Sequence, residues 1–227
     1  RGVERLHLPI EKEVTIFSAS VEAWEFDALG YDVIFFNIPP VKNKGKVTQD
    51  ATVSTSRQSM AKQSTIDYLE ENTKDADVHI TYKSMIDSFH NASQDVYVNH
   101  SAGYDGLKGK HIAISGENRQ NPIELSLWMK LFGFTPEKGW DDFRMVNLKN
   151  KHFEYPFYAS PDENVNKIMC MFINEDIIQR SGRARAAREE SAVVRLFLQT
   201  PSYVVDEIRN KSGEILLTEG DESDDSA

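Results

Sequence analysis

Short apolar runs alternate with segments of helical spacing along most of this 227-residue chain. Runs rich in β-branched and aromatic residues, bounded by polar or turn residues, predict strands. We expect these strands over 14–20, 31–36, 77–82, 95–98, 111–114, 143–148 and 192–198. Helical spacing predicts helices over 58–72, through a short segment ending at Phe89, over 122–132 and over 163–179.

The order of these elements predicts the fold class. The expected strands are apolar on both faces and are separated by helices. This pattern is typical of a mainly parallel sheet that lies between two layers of helices. The sequence therefore predicts an α/β domain with a central, mainly parallel sheet. In such sheets ligands bind in loops that follow the carboxyl ends of strands, so we expect functional residues there.

Composition and charge limit the classes of function. The formal net charge is −10, and five acidic residues fall in the last nine positions, so we expect a disordered acidic tail over 219–227. The remaining chain carries about −5. Nucleic-acid-binding proteins usually show a basic face, so any such binding by this chain is expected to be local.

We expect a soluble protein that is not secreted. No apolar run approaches the roughly 18–20 residues that span a membrane, and residues 1–13 do not have the composition of a signal peptide. The single cysteine, Cys170, lies in an apolar run and is expected to be buried. A single cysteine cannot form an intramolecular disulfide. The lack of such a disulfide favours the cytoplasm or nucleus.

The strongest chemical signal is the segment Gln179-Arg-Ser-Gly-Arg-Ala-Arg-Ala-Ala-Arg188, between the last expected helix and strand 192–198. A guanidinium keeps its charge, and its planar fork of donors fits phosphate oxygens. Gly182 allows the backbone to turn or to approach a ligand closely. The alternative is a basic surface helix that pairs with Glu189 and Glu190, but the ordered Gln-x-x-Gly-Arg pattern favours a phosphate site.

The same segment resembles motif VI of superfamily 2 helicases. Its Gly-Arg-Ala-Arg-Ala form is similar to that of Dicer and the double-stranded-RNA sensor helicases, and phage helicases carry a similar run followed by a further arginine. The resemblance implies a RecA-like three-layer domain in which Arg183 and Arg185 contact the γ-phosphate of ATP as arginine fingers. It also implies nucleotide contacts by Gln179, Gly182 and Arg188. Most of the superfamily places its second arginine where this chain has Ala186.

Three other stretches resemble motifs of the same family in the family's order. Ser18-Ala19-Ser20 is similar to motif III, and 77–83 is similar to the motif IV strand. The stretch 100–114 resembles motif V, which implies that Gly103 and Asp105 line the nucleotide site. The alternatives for these three stretches are a strand-to-loop turn, an ordinary core strand and a plain turn.

Polar loop residues are the candidates for nucleic-acid contact. The resemblance implies that loops after strands contact the backbone of DNA or RNA, independently of sequence. The candidate residues are Ser56, Arg57, Thr81, Lys83 and His100. Ser56 could alternatively cap a helix. Lys42, Lys44 and Lys46 are expected to form an exposed basic linker, and the alternative is a loop that contacts phosphates. Trp24, Trp128 and Trp140 are expected to be partly buried packing residues.

The sequence lacks the phosphate-gripping half of an ATP site. It contains no Gly-x-x-x-x-Gly-Lys-Ser/Thr and no acidic box after a strand, so the chain alone is not expected to hydrolyse ATP. ATP and Mg²⁺ would be held mainly by an N-terminal RecA-like domain, in cis or from another chain. The spacing of the histidines indicates no metal ligands.

The sequence thus predicts the second motor domain of a helicase. Residues 1–20 are expected to end the first RecA-like domain or link to it, 21–218 to form the second, and 219–227 to be the tail. One alternative is a non-catalytic RecA-like module that binds nucleic acid or protein. The other is a phosphate-using α/β enzyme with His100 and Asp105 as its catalytic pair.

Overall fold

The computed structural model describes residues 23–31, 34, 42–100, 104–149, 154–202 and 205–217. Several expectations fall outside these residues. They are the strand over 14–20, most of the strand over 31–36, the motif III-like stretch Ser18–Ser20, Gly103 and the acidic tail over 219–227.

The described residues form the following elements. The α-helices are α1 Ala23–Ala28, α2 Arg57–Met60, α3 Gln63–Thr73, α4 Pro122–Leu131 and α5 Glu163–Ser181, and two 3-10 helices cover Lys83–Ser88 and Gly182–Ala184. The strands are β1 Lys46–Asp50, β2 Val78–Ile80, β3 His111–Ser115, β4 Arg144–Lys149, β5 Glu154–Ala159, β6 Val193–Phe197, β7 Glu207–Arg209 and β8 Ile215–Leu217.

The chain divides into two compact units. The first unit comprises Arg1–Ile38, Arg119–Arg144 and Tyr158–Glu175. The second unit comprises Pro39–Asn118, Met145–Phe157 and Asp176–Ala227, and it holds the central sheet.

The second unit is built on a six-stranded sheet in the order β2-β3-β6-β1-β7-β8. In this sheet β2, β3, β6, β1 and β7 are parallel to one another, and β8 runs antiparallel to β7. Helices surround this sheet. The second unit therefore has the expected fold class, a RecA-like three-layer α/β domain with a central, mainly parallel sheet.

Apolar side chains cover both faces of the sheet where helices lie. On one face the register places Val194 beside Val47 and Ile112, and all three are buried. On the other face Ala113 and Phe197 share a core cluster with residues of α2 and α3, among them Met60 and Leu69. Complete burial of a side chain such as Leu69 stabilises the fold by about 2 kcal/mol.

The helix expected over 122–132 is present as α4, and local capping explains where it begins. Asn121 at the N-cap accepts a hydrogen bond of 3.0 Å from the amide of Glu124, whose side chain accepts one from the amide of Asn121. Pro122 fits the first turn because that turn needs no amide donor. At the other end Gly133 adopts a φ of 75°, as a helix-terminating glycine commonly does.

The first unit contains a cluster of aromatic side chains. Trp24 packs against Phe132 with ring centres 5.3 Å apart, and Trp128 packs edge-on against Phe172 at 5.1 Å. Trp140 packs against Phe143 at 6.4 Å. All three tryptophans are half-buried, which confirms the expectation that they are packing residues.

Strand β1 corrects the prediction for the lysine-rich segment. Lys46 does not belong to a linker but begins a strand that lies between β6 and β7. The sequence Lys-Val-Thr-Gln-Asp does not predict a central strand, because one of its buried residues is the polar Gln49. That amide donates to the carbonyls of Leu198 and Thr200 at 2.8 and 2.9 Å, so the polar group is satisfied inside the fold.

Other predictions are corrected as well. Residues 95–98 form no strand, because Asn99 takes a left-handed φ of 64° and turns the chain so that Tyr97 bridges to His100. The strand expected over 143–148 pairs with β5 in a separate two-stranded sheet. The helix expected over 58–72 is two helices with a break at 61–62, and Cys170 is half-buried rather than buried.

Within the described part of the chain, no helix has both the length and the apolar character that crossing a bilayer requires.

Candidate functional site

The arginine segment 179–188 lies at the edge of the sheet where strands begin. Along α5, Asp176 contacts the turn at Asn99 and Arg180 contacts the end of β3, whereas Ala184 accepts a hydrogen bond of 3.0 Å from Gly109, just before β3. The helix thus runs opposite to the strands, as a crossover helix of a parallel sheet does. The segment after it must lie at the amino ends of the strands, not at the carboxyl ends where the sequence predicts functional residues.

Backbone contacts hold the arginine segment in place. The amides of Lys44 and Gly45 both donate to the carbonyl of Ala186 at 2.9 Å. A Cβ atom on Gly45 would lie 2.7 Å from the carbonyl oxygen of Glu189, so only glycine allows this approach. Gly182, by contrast, has open space around its Cα among the described residues, so no close approach requires a glycine there.

The arginine segment meets the segment before β3. Arg185, with a left-handed φ of 60°, places its Nη2 atom 2.7 Å from Oδ1 of Asp105. Arg183 is half-buried, and its Nη1 donates to the carbonyl of Tyr104 at 3.4 Å. The hydrogen bond and charge of Arg185 hold the pKa of Asp105 below its usual range. Two candidate segments 80 residues apart in sequence therefore form one surface.

A shallow depression with an excess of positive charge lies at this surface. Its lining residues are Asp105, Lys108, Arg185, Arg188 and Glu189. Lys108 and Glu189 form an ion pair of 3.1 Å, so among the described lining residues three cations face two carboxylates. Gln179 and Arg188 are both exposed. An arrangement of exposed guanidinium groups can bind phosphate oxygens.

Three of the five candidates for nucleic-acid contact lie in segments that follow β1 or β2 along the chain and contact aromatic rings there. The guanidinium of Arg57 lies 5.1 Å from the ring centre of Tyr82, and Nζ of Lys83 lies 5.3 Å from the ring centre of Tyr97. The ring of His100 stacks on that of Tyr97 at 4.6 Å, with 17° between the planes. We call Arg57, Lys83, Tyr97 and His100 the edge cluster.

The other two candidates, Ser56 and Thr81, have structural partners. The hydroxyl of Ser56 accepts a hydrogen bond of 3.2 Å from the amide of Ser59, so Ser56 is the N-cap of α2. Thr81 is buried, and its hydroxyl accepts a hydrogen bond of 3.0 Å from Ser115. A contact between the Thr81 hydroxyl and a polymer therefore requires this loop to open.

The sequence did not single out a buried ion pair beside the arginine segment. Arg180 is fully buried, lies 2.6 Å from Asp176, and donates to the carbonyl of Gly116 at 2.8 Å. Burial raises the pKa of Asp176, while Arg180 and the amide of Asn99 oppose that rise. The spacing Asp-x-x-x-Arg on a helix could have predicted the pair, but nothing in the sequence indicates its burial.

His100 and Asp105, the expected catalytic pair of an alternative enzyme, contact different residues at two separate places. His100 stacks on Tyr97, whereas Asp105 is bound to Arg185. Another histidine, His79, is buried, and its Nε2 lies 2.8 Å from the hydroxyl of Ser115. Burial lowers the pKa of His79 to about 3, so this imidazole is neutral in the folded protein.

The described residues contain no group of three or more histidine, cysteine or carboxylate side chains placed to hold a metal ion. Comparisons of the chain with protein-family models, with curated proteins and with solved structures found no match.

Proposed function

We propose that this chain is the C-terminal motor domain of an ATP-dependent nucleic-acid helicase or translocase of superfamily 2. The observation that carries the proposal is the contact of 2.7 Å between Arg185 and Asp105. It joins the segment that resembles motif VI to the segment that resembles motif V. The RecA-like fold of the second unit supports the same proposal, since the family's motor domains have that fold.

In this function the chain supplies positive charge to a nucleotide held by a partner domain. Arg183 and Arg185 would stabilise the negative charge that develops when a phosphoryl group is transferred to water. The described residues fit the phosphate end of ATP, because the surface around Arg185 and Arg188 carries guanidinium groups. Mg²⁺ and most nucleotide contacts would belong to the first RecA-like domain.

The edge cluster would contact the nucleic acid at the other end of the same strands. Arg57 and Lys83 are exposed cations that can bind phosphate without reading sequence. Opening and closing the cleft between two motor domains with each ATP would then move the protein along the polymer.

The test measures ATP hydrolysis by the natural protein, with and without DNA or RNA. Arg183→Ala should abolish hydrolysis stimulated by nucleic acid while ATP binding is retained, with a loss on the order of a thousandfold. Arg144→Ala is a matched control, because Arg144 is exposed and forms an ion pair with the surface carboxylate of Asp142. Absence of hydrolysis in the natural protein, or an unaffected Arg183→Ala variant, would refute the proposal.

A second candidate is a non-catalytic RecA-like module. The ion pair between Arg185 and Asp105 favours it, because a guanidinium bound to a carboxylate can join two segments of the chain without taking part in hydrolysis. In that case Arg185→Ala would lower the thermal stability of the protein and leave any hydrolysis by the natural protein unchanged.

A further inference from the structure

We propose that the edge cluster stacks an unpaired nucleobase on the ring of His100, so that the polymer bound here is single-stranded. This inference rests on the proposed nucleic-acid function, but it goes beyond backbone contacts because it assigns a binding site for the base itself.

The geometry of two stacked rings carries the inference. Tyr97 is half-buried and lies under the exposed His100, with ring centres 4.6 Å apart and planes 17° from parallel. One flat ring therefore supports a second flat ring that faces solvent. Base–aromatic stacking tolerates any base, because every base has a π-face.

Three hydrogen bonds hold the turn that presents His100. Tyr97 and His100 exchange backbone hydrogen bonds of 3.2 and 2.8 Å. The amide of Asn99 between them donates to the buried carboxylate of Asp176 at 3.0 Å. Because the turn is fixed at both places, stacking on His100 requires little further ordering of the protein, which favours binding.

An exposed cation lies against the stacked rings, because Lys83 contacts the ring of Tyr97. A second exposed cation, Arg57, lies against Tyr82, the residue before Lys83. A backbone hydrogen bond of 2.9 Å from Val98 to Thr81 joins the turn of His100 to the loop of Lys83. Basic side chains that track a backbone, combined with an aromatic surface for bases, form the usual combination in single-strand binding sites.

The rings also argue against duplex as the ligand. Bases in a duplex are stacked on one another, so their faces reach a protein ring only after the strand is unpaired. An exposed flat ring with a cation beside its supporting ring thus suits a single strand better than a double helix.

The experiment measures binding of the 227-residue chain to labelled oligonucleotides by fluorescence anisotropy at pH 8. The probes are oligo(dT), oligo(rU), an abasic deoxyribose-phosphate strand and a duplex, all of 20 nucleotides or base pairs. The proteins are the wild type, His100→Ala, His100→Phe and the matched control His90→Ala. His90 is also exposed, but it bonds to Glu70 of α3.

We expect His100→Ala to bind oligo(dT) or oligo(rU) roughly tenfold more weakly and to bind the abasic strand unchanged. His100→Phe should retain binding close to that of the wild type, because it keeps a flat ring. His90→Ala should have no effect, and thermal melting should show that all four proteins are folded.

Several outcomes would overturn the inference. Equal losses by His100→Ala on the abasic strand and on oligo(dT) would show a backbone contact alone, and a Phe variant no better than Ala would exclude stacking. Binding of the wild type to duplex as tight as to single strand would also overturn it. If the wild type binds none of the probes, the proposed nucleic-acid function itself fails, and the two failures are thus distinguished.

Discussion

Asp176 and Arg180 form a buried ion pair of 2.6 Å, one helical turn apart on α5. The pair connects three parts of the second unit. Asp176 accepts a hydrogen bond from the turn at Asn99, Arg180 donates to Gly116 at the end of β3, and the arginine segment follows directly along the chain. A single helix end therefore positions both the proposed nucleotide surface and the proposed base-stacking turn.

Removing one partner of this pair should be strongly destabilising. We expect Asp176→Ala to lower the free energy of unfolding by about 3–5 kcal/mol, because it leaves the charge of Arg180 buried without its partner. Urea denaturation followed by circular dichroism measures the loss. Replacing both residues together, as Asp176→Leu with Arg180→Met, should recover much of it. A loss under about 1 kcal/mol for Asp176→Ala would show that the pair is not a significant constraint.

His79 should make stability depend on pH. Its folded pKa is about 3, below the ordinary 6.5, so the unfolded chain binds a proton that the folded protein does not. The contribution of His79 to the free energy of unfolding is therefore fully present above pH 6.5. It is lost as the pH drops toward 3, and the loss is about 2 kcal/mol at pH 5. Denaturation at pH 7 and pH 5 should show a smaller pH effect for His79→Asn than for the wild type. Equal pH effects in the two proteins would contradict the prediction.

Gly45 should tolerate no side chain. A Cβ atom there would collide with the carbonyl oxygens of Glu189 and Ala192, both of which are backbone atoms that cannot move independently. We expect Gly45→Ala to lower the free energy of unfolding by about 1–3 kcal/mol. Gly182→Ala is the matched control for stability, since open space surrounds that position. Similar melting temperatures for both variants would refute the close approach.

Asp105 should act through Arg185 in ATP hydrolysis by the natural protein. If Asp105 only holds the guanidinium in place, Asp105→Asn should lower the rate less than Arg185→Ala does. The double variant should then be no slower than Arg185→Ala alone, because residues that act as one unit are not additive. Steady-state rates for the three variants test this, and additive losses would mean that Asp105 has a separate role.

Arg57 and Lys83 should each contribute one phosphate contact to single-strand binding. Neutralising either residue, as Arg57→Gln or Lys83→Gln, should reduce the slope of log affinity against log salt by about 0.7. Lys130→Gln, at an exposed position on α4 of the first unit, is the control and should leave the slope unchanged. Anisotropy titrations at several salt concentrations give these slopes. An unchanged slope in both variants would remove these cations from the binding surface.

Much of the fold could be predicted because its signals are local. The spacing of apolar residues identified α4, α5, β3 and β6, and the alternation of helices with strands predicted the α/β class. Strand β1 was not recognised, since its buried Gln49 depends on carbonyl partners about 150 residues away. The turn at Asn99 was read as a strand because apolar alternation does not reveal a left-handed backbone angle.

The candidate site could also be predicted only in part from the sequence. Residue type and order identified Arg183, Arg185 and Asp105, but only the folded chain shows that Asp105 and Arg185 touch. Tyr97 was absent from the candidates, because its importance comes from stacking with His100 across a turn. The sequence of the arginine segment does not reveal the role of Arg180, because it does not distinguish a buried arginine from an exposed one.

The sequence by itself determined the α/β class of the second unit, the positions of its strongest helices and strands, and the residues able to bind phosphate. These properties depend on side-chain type and on periodicity over a few residues. The tertiary structure decided which edge of the sheet holds the arginines, which rings stack and which charges are buried. Those properties depend on contacts between residues 64 or 80 positions apart, or on how a helix direction and a turn place side chains relative to the sheet.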